Sequence, residues 1–120
     1  MIKTVTHGEY SVSVREATGL DGMRRQIMRS DAFRDGKPAD TDEATQVMRL
    51  VSYPDLTCCM VSSSGMPESL PFEVFCELPD RLLDQWGKVV YELNPHWLEM
   101  PETKDDQKKA STSGDELQGS

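Results

Sequence analysis

Nucleophilic or metal-binding chemistry in this chain would have to come from three cysteines and two histidines. Cys58 and Cys59 are adjacent, whereas zinc sites use spaced pairs and four ligands in all. No second pair stands elsewhere. The plainer reading packs one cysteine inward as a small hydrophobe with the other close by. His7 falls in an expected turn and His96 follows Pro95. A Cys–His nucleophile needs the two side chains within hydrogen-bond reach and a third group to orient the base. Nothing in the spacing arranges this, so surface or structural histidines are expected. Ser62-Ser63-Ser64-Gly65 is serine-rich but is not a Gly-x-Ser-x-Gly elbow. There is no glycine-rich phosphate loop, and solvated helix faces account for the carboxylates. The residues point to no catalytic group, no metal ligand and no cofactor, and a non-enzymatic protein is expected.

Two features suit binding better than catalysis. Arg24, Arg25, Arg29, Arg34 and Lys37 form a basic cluster in an otherwise acidic chain. It can dock a partner or the acidic surface of another copy. The plainer alternative is a solvated face with local salt bridges to Asp21 and Asp31. Seven methionines are many for 120 residues, and methionine adapts to irregular partners. Met23 and Met48 read as core filler. Met28 and Met66 are the better candidates for exposed binding residues.

Length and composition bound what can position these groups. A chain of 120 residues is one domain, or one domain and a tail. Residues 101–120 have no aromatic residue and only Leu117 as a large aliphatic. Such a segment buries too little apolar surface to offset the entropy of ordering it. The expected organisation is a domain over 1–100 and a disordered acidic and polar tail over 101–120. The net charge is −8, of which the tail's five acids and three bases contribute −2. Nucleic-acid binders usually carry a basic surplus, so a general DNA or RNA role is disfavoured. An odd cysteine count with two adjacent suggests reduced thiols. No signal-peptide run opens the chain and no stretch nears a membrane span. A soluble, intracellular protein is expected, with neither nucleic acid nor membrane as partner.

Ile2 to Glu16 alternates with period two about His7-Gly8-Glu9 and reads as a β-hairpin. Its Tyr10/Val12/Val14 face must lie on helices or pair with another chain. A helix should begin near Thr18, where Thr18 and Asp21 have capping-box spacing. Leu20, Met23, Ile27 and Phe33 make its apolar stripe, and Asp35-Gly36-Lys37-Pro38 breaks it. Asp40 or Thr41 should cap a second helix, with Ala44, Val47, Met48 and Val51 on one face. Tyr53-Pro54-Asp55 reads as a kink or a restart. Beyond it, residues 57–63 fit either helix or a short strand. Helix is favoured, ending at Gly65 as C-terminal cap. A short helix from Phe72 to Leu78 follows. Pro79 then opens the last helix, whose inward stripe is Leu82, Trp86, Val89, Val90 and Leu93. Asn94-Pro95 stops it, and Trp97 and Leu98 should fold back onto the body. The fold class expected is α+β: an N-terminal β-hairpin, a small bundle of four to five helices, and the tail.

The hairpin, the helix start at Asp21 to Arg25, Tyr53 to Leu56, Phe72 to Leu78 and Trp86 to Trp97 together resemble the tail assembly chaperones of long-tailed bacteriophages and prophages. The resemblance covers most of residues 10–98. It implies a non-enzymatic protein that binds the hydrophobic, helix-rich tape measure protein and keeps it soluble before the tail tube polymerises. It implies self-association, a place in the host bacterial cytoplasm, and absence from the mature virion. Many such chaperones also have a form extended by programmed ribosomal frameshifting, through which the major tail tube protein becomes a partner. On that comparison this chain is a short form, and an A-rich slippery run is expected to encode Lys108-Lys109. Copies would coat amphipathic client segments through an apolar groove between helices. Arg24, Arg25, Met28, Arg29, Phe33, Met66, Leu70 and Phe72 are the candidate partner-binding residues. The competing reading is a small phage or prophage regulatory or inhibitor protein that binds one host protein.

Overall fold

The computed structural model describes residues 1–98, and the expected tail at 101–120 lies outside the described residues. The expected hairpin is present. Strands β1 (Ile2–His7) and β2 (Tyr10–Arg15) are antiparallel, with His7 opposite Tyr10 and Ile2 opposite Arg15. Gly8 opens the two-residue loop at φ 61°, which glycine reaches without a Cβ clash. The period of two turns Val5, Val12 and Val14 inward, where all three are buried.

Helix α1 (Gly19–Ser30) begins with the expected capping box, aspartate serving where glutamate is usual. Thr18 Oγ1 accepts from the Asp21 N–H at 3.1 Å, and Asp21 Oδ2 accepts from the Thr18 N–H at 3.0 Å. A minimal ribbon follows, β3 (Phe33–Arg34) and β4 (Lys37–Pro38), joined by Asp35 at φ 53° and Gly36 at φ 76°. Helix α2 (Glu43–Val47) is capped by Asp42, not by Asp40 or Thr41. Asp42 can reach the Thr45 N–H at 2.9 Å, while Asp40 is drawn away to Arg49 at 2.7 Å.

A π-helical turn (Met48–Ser52) leads into α3 (Tyr53–Thr57), so of the expected kink or restart it is an α-helical restart with Pro54 in its first turn. The Tyr53 N–H reaches back five residues to the Met48 carbonyl. Pro54 has no N–H to donate, and its ring would crowd a regular turn, so a wider turn relieves both.

The preference for helix over 57–63 is corrected. Helix α3 stops at Thr57, and β5 (Met60–Ser64) is a strand that pairs antiparallel with β2. The sheet order is β1-β2-β5. The unpaired edge of β2 supplies a full row of backbone partners, which outweighs local helix preference. Gly65 therefore ends a strand instead of capping a helix. At φ 85° it lies against the hairpin loop, where a Cβ would come within 2.5 Å of the Glu9 carbonyl oxygen.

Helix α4 (Phe72–Cys76) and helix α5 (Asp80–Leu93) complete the body, followed by a 3₁₀ turn (Pro95–Leu98). Leu82, Trp86 and Val90 of α5 are buried against the sheet valines, Leu56 and Phe75. Tyr53, Phe72, Phe75 and Trp86 form an edge-to-face series with centroids 5.2 to 5.8 Å apart. Asn94 is wholly buried and ties the segment before α1 to the end of α5. Its Oδ1 accepts from the Ala17 N–H at 2.9 Å, and its Nδ2 donates to the Val90 carbonyl at 3.0 Å. Trp97 packs on the core as expected, whereas Leu98 stays exposed.

Candidate functional site

The largest departure from expectation is the orientation of α1. Its apolar stripe faces outward: Leu20 is 61% exposed, Met23 57% and Ile27 61%. Met23 is therefore not core filler. Val47 and Val51, read as part of one apolar face, are exposed as well, whereas Met48, expected as core filler, is half-buried and packs against the core. The cause lies on the other side of the helix, where the inward contacts of α1 are ionic. Asp21 is fully buried and meets Arg15 in a two-pronged pair at 3.0 and 3.1 Å. Arg25 donates to buried Asp55 at 2.5 Å, and its guanidinium lies 4.5 Å above the Trp97 ring. Tyr91 of α5 donates its hydroxyl to the other Asp55 oxygen at 2.5 Å. A buried charge must be paired, and these pairs hold the polar side of α1 against β2 through Arg15 and against α3 through Asp55, which leaves its apolar side to solvent.

The electrostatics follow from those contacts. Burial acts to raise the Asp21 carboxyl, but the hydrogen bonds from Arg15 and Thr18 outweigh it and hold the group below the usual carboxylate range. Burial first, and then the bond to Asp55, pushes the Tyr91 hydroxyl well above its ordinary value. Cys58 and Cys59 are both buried. Contact with Cys59, together with burial, raises the Cys58 thiol and leaves it a poor nucleophile. Among the described residues no group of three or more His, Cys, Asp or Glu side chains converges as a metal site.

The candidate partner-binding residues do not form one groove. Arg24 and Phe33 are exposed on α1 and β3. Arg25, Met28 and Arg29 are half-buried, with Arg25 committed to Asp55. Met66 packs against the core, so it is less open than expected. Leu70 and Phe72 are buried. The Leu70 carbonyl accepts from the Tyr53 hydroxyl at 2.6 Å, and the Arg49 guanidinium covers Phe72 at 4.0 Å. Both belong to the scaffold.

A groove that the sequence reading missed lies between α5 and the π turn with α3, about 620 Å³ in volume. Met48, Leu56, Leu83, Tyr91 and Leu98 supply its apolar surface, and Asp80, Asp84 and Glu92 stand along it with Lys88. The signal was available. Met48-Ser52-Leu56 and Leu83-Gly87-Tyr91 each recur every four residues, with a small residue at the centre. Ser52 and Gly87 both line the groove, and small side chains at those positions leave it open. A Cβ on Gly87 would touch Leu56 Cδ1 at 3.8 Å, an ordinary contact, so there is spare room.

Compared with known proteins, the chain matches no protein-family model, no curated protein and no solved structure.

Proposed function

We propose that this chain is a tail assembly chaperone of a long-tailed bacteriophage or prophage. It binds the tape measure protein without catalysis and keeps it soluble in the host cytoplasm until the tube assembles around it. The observation that carries this reading is the outward stripe of α1. Leu20, Met23 and Ile27 are exposed while buried ion pairs anchor the opposite face. A holdase needs adaptable apolar surface that costs nothing in fold stability, and this stripe with its methionine fits that need. Arginines beside it suit a client with acidic residues flanking its apolar ones. A frameshifted form, reaching the major tail tube protein, extends the same reading. No helix among the described residues is long and apolar enough to cross a membrane.

Co-expression with a tape measure protein from the same phage or prophage tests the proposal. The client should move from the pellet to the soluble fraction, with several copies of this chain bound per client. Unchanged client solubility overturns the chaperone reading. A one-to-one complex with a single host protein would point to an inhibitor instead.

A further inference from the structure

We propose that the groove between α5 and the π turn receives the outward face of α1 from a second copy, so that free protein associates head to tail. The two surfaces complement each other in shape and in charge. The groove runs beside α5 from Asp80 to Glu92, which is about 18 Å at the helical rise. The stripe from Leu20 to Ile27 needs only about 10 Å. One surface is a hollow with an apolar floor, and the other is a ridge of three exposed apolar side chains.

Charge is segregated to match. Five of the ten lysines and arginines in residues 1–98 fall between positions 24 and 37, with only two of the fifteen acids. The rest of the described chain thus holds five bases against thirteen acids, a net −8. Arg29, Arg34 and Lys37 enter no ion pair among the described residues, and Arg24 only a loose one at 3.4 Å. On the groove side, Asp80 likewise has no cationic partner among the described residues. Asp84 and Glu92 hold theirs only through exposed contacts with Lys88 and Lys3. A basic ridge meeting an acidic-rimmed hollow gains attraction without giving up a buried pair. Ridge and groove are different patches, so the contact is heterologous. Each added copy presents a fresh ridge or a fresh groove. Where the stripe also serves a client, client and second copy compete for it. The self-docking itself depends on nothing about the client.

Sedimentation velocity on the purified chain tests this with two variants. Met23→Ser/Ile27→Ser spoils the ridge without adding charge, and Asp84→Lys/Leu98→Lys spoils the groove. All four positions are exposed, and circular dichroism confirms that each variant folds. Wild type should grow in mass with concentration beyond the 13.5 kDa chain, and less so at high salt. Each variant alone should remain monomeric. Mixed together, they should form a heterodimer of about twice the chain mass and nothing larger, since one intact ridge meets one intact groove. Three results would overturn the proposal: a wild type monomeric to on the order of 1 mM, variants that associate as wild type does (as pairing through the free edge of β1 would allow), or a mixture that stays monomeric.

Discussion

Asp55 shows how much of this fold rests on single side chains. Arg25 from α1 and Tyr91 from α5 both donate to it, and it is almost fully buried. Asp55→Ala would leave Arg25 without its partner in a half-buried site, and should cost about 3–5 kcal/mol. Urea unfolding of the variant reads this directly. Asp21 makes a pH-dependent contribution. Its folded-state value lies below the ordinary carboxylate range, near 3.9 in an unfolded chain. Its stabilisation is therefore fully present above that unfolded value and is lost as pH falls through the lower, folded one. Thermal melts between pH 6 and pH 2 should show this loss in wild type, and a flatter profile in Asp21→Asn. At this scale the sequence disclosed what is local. The Thr18–Asp21 capping box spans three positions and could be read directly. Arg25 and Asp55 lie 30 positions apart, and Ala17 and Asn94 lie 77 apart, so no spacing rule could pair them before the fold was known.

Among the elements, α1 and α5 make the useful contrast. Both are amphipathic, and periodicity alone assigns each an inward stripe. For α5 the assignment holds, because Leu82, Trp86 and Val90 are buried. For α1 it fails, because period shows that one face is apolar and not what covers it. Two buried aspartates set the orientation of α1 instead. Leu82→Ala should therefore cost about 2–5 kcal/mol, whereas Ile27→Glu should change stability by less than about 0.5 kcal/mol. Chemical denaturation of the pair separates the two roles. The β5 segment carries a related lesson. Residues 57–63 were ambiguous locally, and the open edge of β2 decided them. Gly65 locks that strand under the Gly8-Glu9 loop. With φ 85° and the Glu9 carbonyl oxygen 2.5 Å from any Cβ, Gly65→Ala should destabilise by more than about 1 kcal/mol. A lowered Tm with loss of amide protection along β5 would be its signature.

On the scale of the whole molecule, the stripe on α1 stands apart from the core, whereas the groove is cut into its edge, with buried Leu56 and Gly87 in its lining. The sheet, α4 and α5 enclose the aromatic core, which was largely legible from period and proline placement. Leu20, Met23 and Ile27 form an exposed apolar stripe on α1, Leu98 is exposed at the groove beside α5, and the other exposed large apolar side chains are spread over β1, β3, α2, the π turn and β5. Leu70 and Phe72 read as binding residues although they are structural. The sequence shows apolar mass near a proline-rich loop, and only the packing of Tyr53 and Arg49 onto it shows that the mass is covered. Tape measure protein co-expressed with either wild type or Met23→Glu/Ile27→Glu puts the docking role of α1 to the most direct test. At equal abundance of the two chains and equal Tm, the proposed function predicts that wild type keeps the tape measure protein in the supernatant and the variant leaves it in the pellet. A variant that solubilises the client as well as wild type does would contradict the account.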